Sequence, residues 1–134
     1  SKCKEILICG PKYSYLTDTA KSLKDLTEIP LISLSEGTGT YDLYNKFYIA
    51  HSVPFTPDME VATTDQIIPM ITHNLGIGFY PEDLATELIE DKKVFPINIE
   101  EKLPIREVCL VINKSSAMST SVQKFYNFLR NSVS

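Results

Sequence analysis

What this chain lacks narrows its function first. Nowhere do about 18 apolar residues run together, which excludes a membrane-spanning helix. The start, Ser1 to Glu5, reads SKCKE, and five apolar or small residues follow before Pro11. That is too short for the apolar core of a secretory leader. Cysteine is scarce: Cys3, Cys9 and Cys109 are odd in number and lack Cys-x-x-Cys spacing. Neither a disulfide framework nor a zinc site is indicated, and a reducing cytoplasm is the expected location. Basic residues never cluster beyond pairs such as Lys92-Lys93, and the net charge is −4. Gripping nucleic acid by its phosphates needs a basic face, so this chain is not expected to do so itself.

Catalytic constellations are equally thin. His51 and His73 are isolated, and no Gly-x-Ser-x-Gly or His-Glu-x-x-His pattern occurs. Glu87, Glu90 and Asp91, and the pair Glu100-Glu101, read as solvated faces. Cys9 and Cys109 fall in apolar strands, where a buried inert thiol is the ordinary outcome. No enzyme, metal or cofactor is expected.

What is present is one domain's worth of chain, 134 residues, in which strands alternate with helices. EILICG (Glu5 to Gly10), LISL (Leu31 to Leu34), MEVAT (Met59 to Thr63), GIGFYP (Gly76 to Pro81), VFPINI and REVCLVIN read as strands. Ser22 to Leu26 reads as one helical turn capped by Ser22, with Asp25 three residues on. Leu43, Phe47 and Ala50 recur at helical spacing, and that helix should end near His51. Thr64 is the expected cap of a helix carrying Ile67, Ile68, Ile71 and Leu75, which Pro69 should bend. Pro81 suits the first position of the helix PEDLATELI. A last helix would start at Ser119 and carry the stripe Val122, Phe125, Tyr126 and Leu129. Short links between alternating elements imply an α/β fold with a mostly parallel, doubly wound sheet.

Two glycine turns invite a nucleotide reading, and both fail it. SEGTGTYDLY lacks the lysine of a phosphate loop. The dinucleotide pattern needs a third glycine, but Asp42 stands there in the first turn and Pro81 in the second. Gly37 and Gly39 still allow unusual dihedrals, and Ser35, Thr38 and Thr40 place hydroxyls near a helix start. Thr63 and Thr64 form a second hydroxyl-bearing start. These hydroxyls either cap their own helices or face one crevice suited to a small polar ligand.

Three stretches in order give the chain a family resemblance: SLKDLTEIPLISLSEGTGTYDLYNKFY, MEVATTDQIIPMITHNLGIGFYP and LPIREVCLVINKSSAMSTSVQKFYNFLRN. The chain resembles the inducer-binding domain of LysR-type transcriptional regulators, a two-lobed fold like the type 2 periplasmic binding proteins. The resemblance implies a partial domain over residues 1–134. Residues from about 11 to 100 would form the second lobe. Residues 1–10 and 101–134 would supply the crossing strands and the remnant of the first lobe. The family's winged helix-turn-helix, linker helix and opening half of the first lobe have no counterpart in the sequence.

By the same resemblance, a small effector such as a carboxylate binds between the lobes, and DNA belongs to the absent N-terminal part. Thr64 matches the polar helix-start residue that lines the pocket in relatives. Thr63, Cys9, Gly10, Ile77, Gly78 and Phe79 are expected near it, with Thr38 on the rim. The apolar last helix implies a homodimer or higher oligomer. The alternative from another class is one lobe of a transport-linked solute-binding protein, which a signal peptide upstream of Ser1 would reveal.

Overall fold

The computed structural model describes residues 3–106. Strand β1 (Cys3–Cys9) leads through a 3₁₀ segment (Pro11–Thr17) and a 3₁₀ turn (Lys24–Leu26) to β2 (Leu31–Leu34). Then come α1 (Gly39–Ala50), β3 (Met59–Val61), a 3₁₀ turn (Thr64–Gln66) and α2 (Ile67–Thr72). β4 (Ile77–Pro81), α3 (Glu82–Glu90), β5 (Phe95–Ile97) and β6 (Ile105–Arg106) complete the order among the described residues. The expected last helix and the rest of REVCLVIN lie outside the described residues.

Glu5–Pro104 form one compact unit. Its sheet has the order β3-β2-β4-β1-β5, with β2 parallel to β3 and β4, and β1 antiparallel to β4 and β5. Four strands therefore point one way, as the alternating pattern implies, and β1 alone runs against them. A two-residue hairpin does not explain this reversal. β1 and β4 are far apart in sequence, and the register Glu5↔Pro81 to Ile8↔Gly78 joins them only in the fold. The second unit comprises Ser1–Lys4 and Ile105–Ser134. Its described residues pair antiparallel, Cys3 with Arg106 and Lys4 with Ile105.

Strand alternation divides the core into two layers. Leu7, Cys9, Leu31, Ile77, Phe79 and Ile97 face α1 and the 3₁₀ segments, where Tyr44, Phe47, Tyr48 and Phe55 make an aromatic layer. Ile8, Ile32, Leu34 and Tyr80 face α2 and α3, where Ile67, Ile71, Ala85 and Val94 make a mostly aliphatic one. Tyr44 stacks on Phe79 with ring centroids 4.2 Å apart, and Phe47 and Tyr48 meet edge to face at 6.0 Å. Both faces of the sheet are covered, which explains why LISL is buried at all four positions.

Helix boundaries show where local chemistry prevailed. Ser22 and Asp25 cap each other: the Asp25 N–H donates to Ser22 Oγ at 3.1 Å, and the Ser22 N–H to Asp25 Oδ2 at 3.0 Å. α1, α2 and α3 each end two residues before a left-handed, non-glycine residue: Ser52, Asn74 and Lys92, with φ near 60°. The following N–H groups reach back five residues, Val53 to Tyr48, Leu75 to Met70 and Lys93 to Leu88, so each end is a Schellman turn. Without the usual glycine these stops carry no sequence mark.

Two expectations need correction. Pro81 is the N-cap of α3 and the last residue of β4, not the first helical residue, because its ψ of 130° is extended. Gly39 is simply the first residue of α1; Gly37 alone, at φ 98°, needs glycine's freedom.

Candidate functional site

The loops after β2 and β3 carry the hydroxyl-rich sequences, and these strands are hydrogen-bonded neighbours. α1 packs on the aromatic face and α2 on the aliphatic face, so the loops leave adjacent strands in opposite directions. Such a divergence at the carboxyl ends of parallel strands marks the switch point, and open α/β sheets bind ligands in the crevice outside the strand ends there. The loops are pinned together below it. Ser35 donates to the Val61 carbonyl from its N–H at 3.0 Å and from Oγ at 3.1 Å, and the Glu36 N–H donates to Glu60 Oε1 at 3.0 Å.

Thr38 is fully used as a cap. Its hydroxyl accepts from the Tyr41 N–H at 3.1 Å and donates to the Ser35 carbonyl at 2.8 Å. At the second start the expected cap is displaced by one residue: Thr63, not Thr64, is the N-cap, and it forms a capping box with Gln66. Gln66 Oε1 accepts from the N–H groups of Ala62 at 2.8 Å and Thr63 at 3.1 Å. Gln66 accounts for the shift, because it stands three residues after Thr63 while the apolar Ile67 stands three after Thr64. The first turn closes as 3₁₀ and the α-helix begins at Ile67, and the ring of Pro69 excludes an α-helical bond to the carbonyl of Asp65. The half-buried Thr64 hydroxyl is left with no hydrogen bond among the described residues.

The strand register separates the expected site residues. Thr38, Thr63 and Thr64 lie together at the carboxyl end of the parallel strands. Cys9 and Gly10 end the antiparallel β1 and therefore sit at the opposite, amino end, beside the start of β4 at Ile77. Cys9 is fully buried, and burial pushes its thiol up to about 11. Gly10 lies under the end of α2, where an added Cβ would stand 2.3 Å from the Ile71 carbonyl oxygen. Gly78 and Phe79 are interior strand positions, and Phe79 is occupied by its stack on Tyr44. The family resemblance groups these residues, and the antiparallel direction of β1 sets Cys9 and Gly10 at the other end of the sheet from Thr63 and Thr64.

One residue at the carboxyl end escaped sequence reasoning. Glu5 is 6% exposed and its Oε1 accepts a 2.5 Å hydrogen bond from the Tyr44 hydroxyl. The signal was available: position 5 shares a face with Leu7 and Cys9 by alternation, so an acid there must point inward. The surroundings of the crevice are acidic as well. The Tyr41 phenol is pushed up first by desolvation, then by Glu36, Glu60 and Asp42; that of Tyr80 is pushed up by burial and then by Asp65. Among the described residues no cluster of His, Cys, Asp or Glu could hold a metal ion, and no helix is long and apolar enough to cross a membrane.

Comparison with curated protein sequences finds no match. Solved structures do share the fold. The effector binding domain of QuiR in complex with shikimate superimposes with a TM-score of 0.66 at 14% identity, over 79% of this chain and 49% of that one. The CcmR regulatory domain of Synechocystis PCC6803 in complex with 2-PG gives 0.66 at 15% identity, over 96% of this chain and 62% of that one. The regulatory domain of NMB2055 (MetR), a LysR family regulator from N. meningitidis, gives 0.62 at 19% identity, over 78% and 48%. The chain thus spans about half the length of the first of these and between half and two thirds of the second. The profile of the LysR substrate binding domain matches residues 4–134, nearly the whole sequence, and the chain belongs to that family.

Proposed function

We propose that the chain is the ligand-sensing part of a LysR-family transcriptional regulator, and that a small polar effector binds at the carboxyl end of the parallel strands. The observation that carries this is the Thr64 hydroxyl, uncommitted at a helix start on the crevice between two diverging loops. Backbone N–H groups in the first turn of α1 have no intrahelical acceptor and add donors to the same edge. Effector complexes of the QuiR and CcmR domains support the reading. The nearby acids disfavour a bare anion on this wall alone, so the effector is a hydroxyl-bearing molecule whose carboxylate, if it has one, meets the helix donors.

Binding does no chemistry; it biases the relative position of two lobes through differential affinity for two arrangements. DNA recognition belongs to a separate domain of the regulator. The test is a metabolite screen by thermal stabilisation, followed by titration calorimetry with the hit. Thr64→Val is expected to leave the melting temperature unchanged and to weaken binding about tenfold, the effect of one lost hydrogen bond. Equal affinity in the variant removes Thr64 from the site.

A further inference from the structure

A second cavity lies at the opposite end of the sheet, remote from the crevice. It has a volume of about 110 Å³, and the starts of β2 and β4, at Leu31 and Ile77, form part of its wall. Room for several waters or one small solute follows from that volume. Its polar groups come from Tyr48 of α1, Thr27, Thr56 and Asp58.

One of these groups is unfinished. Tyr48 is 6% exposed, its ring packed 4.9 Å from that of Phe55, yet its hydroxyl has no hydrogen-bond partner among the described residues. Burial, and then the charge of Glu101, pushes its phenol upward, so the group stays a neutral donor. Glu101 is held in place by the Leu23 N–H, which lies 3.1 Å from each of its carboxylate oxygens. Asp58 is fixed on β2: its Oδ2 accepts from the Leu31 N–H at 2.9 Å and its own N–H donates to the Leu31 carbonyl at 2.9 Å. Asp58 is exposed, as are Thr27 and Thr56, and its Oδ1 makes no hydrogen bond among the described residues. Thr27 already donates to the Lys24 carbonyl at 3.0 Å, which leaves its oxygen as an acceptor. One buried donor thus shares a cavity wall with several acceptors, and Asp58 on that wall and Glu101 near Tyr48 supply negative charge. An unpartnered hydroxyl buried this deeply costs stability unless something fills its valence.

We propose that this cavity, walled by Tyr48 and Asp58, binds a small amine or amino alcohol, the ammonium meeting Asp58 and an oxygen accepting from Tyr48. The site is independent of the effector crevice, so either can fail alone.

The test uses ethanolamine as probe and glycolate as its anionic counterpart, each titrated into the chain while backbone amide shifts are followed by NMR. Ethanolamine is expected to give saturable shifts at Leu31 and Ile77, and glycolate none. Tyr48→Phe should weaken ethanolamine at least about fivefold without lowering the melting temperature, since it deletes a buried hydroxyl that has no partner. Asp58→Asn, which keeps an acceptor for the Leu31 N–H, should weaken it as much or more. If Tyr48→Phe fails to fold, the hydroxyl is a structural group and the proposal is overturned. Non-saturating shifts, or an affinity in either variant equal to that of the unaltered chain, overturn it too, as does a crystal grown with ethanolamine that shows ordered water only.

Discussion

The two ends of the sheet answer different demands. At the amino end the junction of β1 with α2 is packed to contact: Cys9 and Ile71 are wholly buried, and α2 rests on Gly10 with no space for a methyl group, while the cavity beside Tyr48 lies among the residues of the aromatic layer. At the carboxyl end the loops from Ser35 to Thr38 and from Ala62 to Thr64 are half-buried or exposed, and nothing lies within 4 Å of a Cβ built on Gly37 or Gly39. Tight packing makes the first end a determinant of stability. Open, hydroxyl-bearing loops on a rigid support make the second suited to recognition. Substitutions at the two ends should therefore separate stability from binding.

The largest contrast is between two glycines. Gly10→Ala must move α2 or β1, because 2.3 Å from a backbone carbonyl is far inside contact distance. Overpacking of that kind costs about 3 kcal/mol or more, read as a fall in melting temperature of roughly 10 °C. Gly39→Ala, in open space at the start of α1, should leave the melting temperature unchanged or raise it slightly. Equal effects at both positions would abolish the distinction between the ends.

A second test varies pH instead of sequence. Folding raises the Cys9 thiol from 9.0 to about 11. Below the unfolded value both states hold the proton and the stability is complete. As pH rises towards about 11 the unfolded chain releases the proton first, and stability falls by on the order of 2 kcal/mol. Denaturant midpoints across this alkaline range should decline less steeply in Cys9→Ala than in the unaltered chain. Parallel slopes in the two proteins would show that the thiol is not desolvated.

The smallest effect belongs to the carboxyl end. Thr38→Ala removes the cap of α1 and should cost about 1 kcal/mol, with the fold retained. A loss as large as that of Gly10→Ala would mean that this loop supports the core and is not merely held by it.

The sequence made much of this legible where local chemistry and tertiary packing agree. LISL is a strand at its expected limits, the helix from the glycine turn stops before His51, and Thr38 caps it. The second helix start was misread by one residue, although the sequence carried the mark: Gln66 stands three residues after Thr63, whereas Ile67 stands three after Thr64, so only Thr63 can form the capping box. The three Schellman stops were invisible because serine, asparagine and lysine occupy the left-handed position.

Composition and alternating pattern alone determined the class of fold, the burial of both sheet faces and the two hydroxyl-rich helix starts, because these follow from periodicity and capping within a few residues. The direction of β1 was decided only by the tertiary structure. A strand's apolar pattern reads the same in either direction, so pairing with β4 and β5 alone could place Cys9 and Gly10 at one end of the sheet and Thr64 at the other.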